Sequence, residues 1–69
     1  MNADPDALGR RIRQAREEAV LTQAELAQLL DTDTRSVQRW EAGQHVPRPA
    51  RLRRIAKATA KPLAFFIGV

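Results

Sequence analysis

The chain has 69 residues and no cysteine, so it has neither a disulfide nor a thiolate metal site, and a single small domain is expected over residues 1–69. Twelve Lys and Arg against eight Asp and Glu give a formal charge of +4, with ten of the twelve basic residues arginine and no acid after Glu41. No run approaches the roughly 18 apolar residues of a membrane span, and the opening MNADPDALG is too polar and acidic for a signal peptide, so a cytoplasmic protein is expected.

The patterning predicts five helices and no strand. The first runs from about Pro5 to Ala19. Asp4 suits its N-cap and Pro5 its first position, and Leu8, Ile12, Ala15 and Ala19 form one apolar stripe. The second runs from Gln23 to about Leu30. Thr22 and Glu25 have the spacing of a capping box, and Leu21 and Leu26 that of a hydrophobic staple. The third runs from Thr34 to Ala42, with Asp33 as N-cap and Gly43 as a left-handed C-terminal residue. A loop from Gln44 to Arg48 follows, and Pro49 opens a fourth helix with Leu52, Ile55, Ala56 and Thr59 inward. A short fifth begins near Pro62 and carries Leu63, Phe65, Phe66 and Ile67. One core is expected from Leu8, Ile12, Leu26, Ala27, Leu30, Val37, Trp40, Leu52 and Ile55.

On the third helix, Arg35, Gln38 and Arg39 share one face, opposite Val37 and Trp40. Arginine can fork to guanine O6 and N7, and glutamine can pair with adenine N6 and N7. The segment from Gln23 to Ala42 reads as two short helices across the polar turn Asp31-Thr32-Asp33-Thr34. Its stretches Thr22-Gln23-Ala24-Glu25-Leu26-Ala27 and Ser36-Val37-x-x-Trp40-Glu41-x-Gly43 resemble the phage-repressor class of helix-turn-helix proteins, the lambda, 434, Cro and Xre-type family. The resemblance extends from Leu8 to Phe66.

That resemblance implies an all-α, compact five-helix lambda-repressor-like fold and a bacterial or phage transcription regulator. It implies base reading by Thr34, Arg35, Gln38 and Arg39. Gln23 and Ser36 match positions near the DNA backbone, and Gln44, His45 and Arg48 occupy a loop that lies along it. Each has a plainer alternative: Gln23 as a good first-turn residue, Ser36 as a passive helix residue, and His45 as a surface loop residue rather than a metal ligand or catalyst. Arg16 and Glu41 match a structural ion pair that clamps the first helix to the third. Trp40 is assigned to the core.

Four departures from the family pattern bear on geometry. Asp31 and Val20 stand where glycine is common, and the end of the first helix is expected to differ accordingly. Asp33 replaces Ser or Thr near the DNA face, where it repels phosphate. Ala58-Thr59-Ala60-Lys61 lacks the usual Leu-Gly.

The expected partner is an operator in double-stranded DNA, bound by a weak homodimer formed or strengthened on the DNA. Phe65 and Phe66 are candidate contacts, because adjacent residues on one helix cannot both face the same core. The alternative is that both close the monomer's core. No cofactor, metal, membrane or small-molecule ligand is expected. With one His, no Cys and no Gly-rich phosphate loop, an enzyme is not expected either. The competing function is a protein-interaction module that keeps the fold without specific DNA binding, which Asp33 would favour. RNA binding is weaker, because aromatic stacking residues are scarce.

Overall fold

A computed structural model describes residues 4–68, so the extreme ends of the expected 1–69 domain lie outside the described residues. Five helices follow in order: α1 (Pro5–Glu18), α2 (Gln23–Leu29), α3 (Thr34–Glu41), α4 (Pro49–Ala58) and α5 (Leu63–Ile67). The cap chemistry sets their starts. The Asp4 carboxylate accepts from the Asp6 N–H at 3.0 Å, and Pro5 opens α1. At α2 the Thr22 hydroxyl accepts from the Glu25 N–H at 3.0 Å while the Glu25 carboxylate accepts from the Thr22 N–H at 2.8 Å, a complete capping box. Asp33 Oδ1 accepts from the Ser36 N–H at 2.9 Å and starts α3. The helices end a residue before the expected Ala19, Leu30 and Ala42, which instead form the C-caps.

Four helices end in the same way. After α1, the Val20 N–H donates to the Glu17 carbonyl and the Leu21 N–H to the Arg16 carbonyl. Asp31 and Thr32 after α2, Gly43 and Gln44 after α3, and Ala60 and Lys61 after α4 repeat the two bonds. These are Schellman motifs, which satisfy carbonyls that a helix end would leave unpaired. The motif needs a left-handed residue, and only one of the four is glycine, Gly43 at φ 76°. Val20, Asp31 and Ala60 take φ 60°, 57° and 57°. The end of α1 therefore does not differ as expected: Val20 is forced into the glycine conformation, at a cost of about 1–2 kcal/mol for an L-residue.

The core is a single cluster. Every residue of the expected core is buried, together with Ala15, Ala56 and Phe66, while Ala19 at the end of the first stripe is half-buried. Leu21, Ala58 and Phe65 pack on its rim. Thr59 is buried too, and its hydroxyl donates to the Ile55 carbonyl at 2.8 Å, so it enters the core without an unpaired donor. α1 and α2 both pack on α3, and α5 closes the open side against α1 and α4.

Gly9 sets the distance between α1 and α3. A Cβ there would stand 2.6 Å from the Trp40 carbonyl oxygen and 2.7 Å from that of Glu41. Both are backbone atoms and cannot swing aside. In an open helix, Gly→Ala gains about 1 kcal/mol of helix propensity. Here Gly9→Ala is expected to destabilise by about 1–3 kcal/mol, the usual cost of overpacking. Thermal unfolding checks this: an unchanged or higher melting temperature would mean that α1 does not lie this close to α3.

Candidate nucleic-acid interface

α3 divides its residues cleanly. Val37 is fully buried and Trp40 is 8% exposed, while Arg35 and Gln38 are exposed on the outer side. Thr34 and Arg39 are half-exposed at its flanks. The outer face therefore offers guanidinium and amide groups on a helix whose inner face is committed to the core. Asp33, just before α3, is the acid nearest this face in sequence. Its carboxyl is held below the usual range, first by the Ser36 backbone N–H, then by the Ser36 hydroxyl and by the charges of Arg35 and Arg39. Its depressed value means that the cap contributes stability above the unfolded value of about 3.9 and loses it as pH falls through the folded value. At neutral pH this end of the face carries a fixed negative charge.

The outer face is aimed by a buried ion pair. Arg16 Nε donates to Glu41 Oε2 at 2.6 Å and Arg16 Nη2 to Glu41 Oε1 at 3.1 Å, a bidentate fork. The Arg16 side chain is 11% exposed and that of Glu41 5%. Arg16 Nη1 donates to the Leu21 carbonyl at 2.9 Å, and Gln23 Nε2 donates to Glu41 Oε1 at 3.0 Å. The Glu41 carboxylate thus ties the last turn of α3 to α1 and to the first residue of α2, and Arg16 also holds the loop after α1. The bond to Glu41 raises the Arg16 guanidinium above its ordinary value, against an opposing desolvation.

Two shallow grooves are associated with α3. One is lined by Ser36, His45, Val46, Arg48 and Arg51 with Thr32 and Trp40. The other is lined by Arg13, Thr22, Gln23 and Gln38, with Arg16 and Glu41 also in its wall. The fold therefore brings Ser36, His45 and Arg48 together in one groove, and Gln23 and Gln38 in the other. Gln44 is exposed in the loop, its N–H bonded to the Arg39 carbonyl at 2.9 Å. Gln23, matched to a backbone position, has one amide N–H committed to Glu41 and one left for an outside acceptor. Arg13 and Arg51 are groove residues that the sequence reading missed. Arg51 could have been found one helical turn beyond Arg48; Arg13 lies on α1 and is brought in only by packing.

The aromatic pair at the C-terminal end divides unequally. Phe66 is fully buried, so it has no surface to offer and drops out as a dimer contact. The core needs this ring to close the gap between α1 and α4. Phe65 is half-buried, edge-on to Phe66 at 5.2 Å, with the Lys61 ammonium 5.0 Å from its ring. The exposed large apolar side chains of α5 are Leu63 and Ile67, at 38% and 41%, one turn apart.

The chain belongs to the helix-turn-helix domain family, whose model matches residues 7–62. None of the curated proteins matches it in sequence. Solved structures do match in fold. The restriction-modification controller protein C.AhdI from Aeromonas hydrophila is 26% identical, with a TM-score of 0.87 over 93% of each chain. The P22 c2 repressor, solved in complex with a synthetic operator, is 23% identical, with a TM-score of 0.80 over 87% of this chain and 91% of its own. The hydroxypropylphosphonic acid epoxidase of S. wedmorenis is 22% identical, with a TM-score of 0.86 over 97% of this chain but only 36% of the epoxidase. The resemblance to the phage-repressor class and its five-helix fold therefore holds.

The buried pair gives a stability test. Arg16→Met leaves the Glu41 carboxylate enclosed with only Gln23 to answer it, and is expected to cost about 3–5 kcal/mol. Arg16→Met with Glu41→Leu removes both charges and is expected to recover most of that loss. Urea unfolding of the three proteins checks this; equal stability of single and double variants would show that the carboxylate is not isolated when Arg16 is lost.

Proposed function

We propose that this protein is a sequence-specific double-stranded DNA-binding transcriptional regulator, of repressor, Cro-like or antitoxin-like type, whose α3 reads the major groove. The observation that carries the reading is the exposed Arg35 and Gln38 on a short helix whose opposite face is locked into the core. Arg35 and Gln38 then read base edges, with Thr34 and Arg39 at the flanks of the same face. Gln23, Ser36, Gln44, His45 and Arg48 meet the backbone and fix the register. The C.AhdI and P22 c2 structures support this: one is a controller protein and the other a repressor on its operator. The exposed groups of α3 are donors suited to base edges, with no acid–base pair among them, so the chain is a binder and not an enzyme. No helix of the described residues is long and apolar enough to cross a membrane, and the reading places the protein in a bacterial or phage-infected cytoplasm.

The test uses DNA fragments selected by the protein from a random pool, with binding measured over a range of salt. Arg35→Ala is expected to cost about 1–3 kcal/mol and to relax the preference at one base position. Asp33→Asn keeps a good N-cap and removes the negative charge beside the face, so binding is expected to tighten several-fold at low salt. If the wild type shows no salt-dependent binding to any DNA, the protein-interaction module is the better reading.

The working unit is a weak homodimer on two half-sites about one helical turn apart. Its contact runs along α5, where Leu63, Ile67 and the rim of Phe65 present the apolar surface that Phe66 does not. Leu63→Ser with Ile67→Ser is expected to abolish cooperative binding to a two-half-site fragment and to leave single half-site binding intact. Wild-type cooperativity in that variant would move the dimer contact elsewhere.

A further inference from the structure

A separate cleft of about 270 Å³ opens between the end of α2 and the second half of α4, and it shares no residue with the two grooves beside α3. Buried Leu30 is its floor, Leu29 and half-buried Ala58 are its apolar walls, and Arg54 and Lys57 stand at its rim. Leu29 is 55% exposed, although it is a large apolar residue. Arg54 donates to the Leu29 carbonyl at 3.5 Å and joins the two sides of the cleft at one edge. Lys57 is one turn further along α4 and lies on the same side. Among the described residues neither cation takes part in an ion pair, and α4 contains no acid. An apolar centre with cations beside it does not suit a phosphate, which would lose water against Leu29 and gain no bond there. A second copy of the chain has few carboxylates to spare for those cations. Those of Asp4, Glu17, Glu18, Glu25, Asp33 and Glu41 already accept bonds within the fold. Asp6 lies against Gly43, and no acid follows Glu41 to accompany the apolar residues of α5. What complements the cleft is an outside segment that carries both an apolar side chain and free carboxylates.

We propose that this cleft docks an acidic, amphipathic helical segment of a partner protein. One large aliphatic or aromatic side chain of that segment lies between Leu29 and Ala58, over Leu30, and carboxylates one turn apart meet Arg54 and Lys57. Burial of the apolar side chain supplies most of the affinity. The two cations set the direction of the segment and reject basic or neutral ones. The contact is small, so the complex is weak and transient. The outer face of α3 stays open when the cleft is filled, because none of its residues line the cleft. Docking therefore does not depend on the DNA-binding reading above, and it allows a partner to be held while α3 is engaged.

The experiment selects binders to the full chain from a random pool of helical peptides displayed on phage, then measures the selected peptides in solution with the wild type, Leu29→Ser and Lys57→Glu. The selected sequences are expected to converge on one large apolar residue flanked by acids on its own face. Leu29→Ser is expected to weaken binding about tenfold or more. Lys57→Glu is expected to weaken it several-fold, and exchanging the facing glutamate of the peptide for lysine is expected to restore binding to that variant while weakening binding to the wild type. Both side chains are exposed, so the melting temperature is expected to stay the same, and the charge exchange separates a lost contact from a damaged fold. Backbone amide resonances of residues 29–31 and 54–58 are expected to move on binding, and those of residues 34–39 to stay. Selected peptides without the acidic, apolar pattern, or with equal affinity for the wild type and both variants, overturn the docking site. If Lys57→Glu leaves peptide binding intact but lowers the salt dependence of DNA binding, the cations belong to DNA and the partner is overturned. If sedimentation shows self-association of the wild type that disappears in Leu29→Ser, the cleft belongs to a second copy, which also overturns it.

Discussion

Gly9 lets α1 lie against the carbonyls of Trp40 and Glu41, and the direction of α3 follows from that contact. Close approach carries Arg16 to within forking distance of Glu41. The pair is not needed for raw stability, since a buried ion pair often gains little over apolar groups of the same size. What it supplies is direction. A fork with two bonds fixes rotation as well as distance, and Gln23 adds the start of α2 to the same carboxylate. A slip of the outer face by one ångström would move Arg35 and Gln38 together, which would spoil any pairing that needs two bonds at once.

From the other side the end of α2, where the turn into α3 begins, is held by α4. Arg51 reaches the Leu30 carbonyl and Arg54 the Leu29 carbonyl, at 3.1 and 3.5 Å. Both cations meet the negative end of α2, where charge and open carbonyls coincide. The turn into α3 is therefore braced by side chains from a later helix as well as by its own Schellman motif and the Asp33 cap. The basic residues after Gly43 act in two ways. Some are solvated charge, while Arg51 is also a structural strut, and a composition count cannot separate the two.

Much of this was legible in the sequence because it rests on local rules. The capping box at Thr22 and Glu25, Asp33 before α3, and the proline at the start of α1 and of α4 are short-range signals with one meaning each. The core positions followed from spacing. Three features were not legible in this way. Gly9 looks like a weak spot in a helix until the backbone facing it is known. Arg13 reaches its groove only through packing between helices distant in sequence. The division of Phe65 from Phe66 depends on the docking angle of α5, set by contacts such as the Arg11 Nη1 bond to the Phe65 carbonyl at 3.2 Å. The motif resemblance named the candidate face, but it could not say that Gln23 would be drawn toward Glu41.

The left-handed positions carry a consequence for how such domains diverge. Val20 is 86% exposed, and no tertiary contact explains a β-branched residue at φ 60°. The two backbone bonds of the motif and the packing of the helices on either side hold it there. A turn maintained from outside can lose its glycine without losing its shape. Three of the four such turns hold a residue other than glycine here. Glycine is thus a convenience at these corners, and relatives will drift out of reach of any search keyed to it while the backbone path stays the same. Each non-glycine residue at these corners also leaves a small store of stability that glycine would recover.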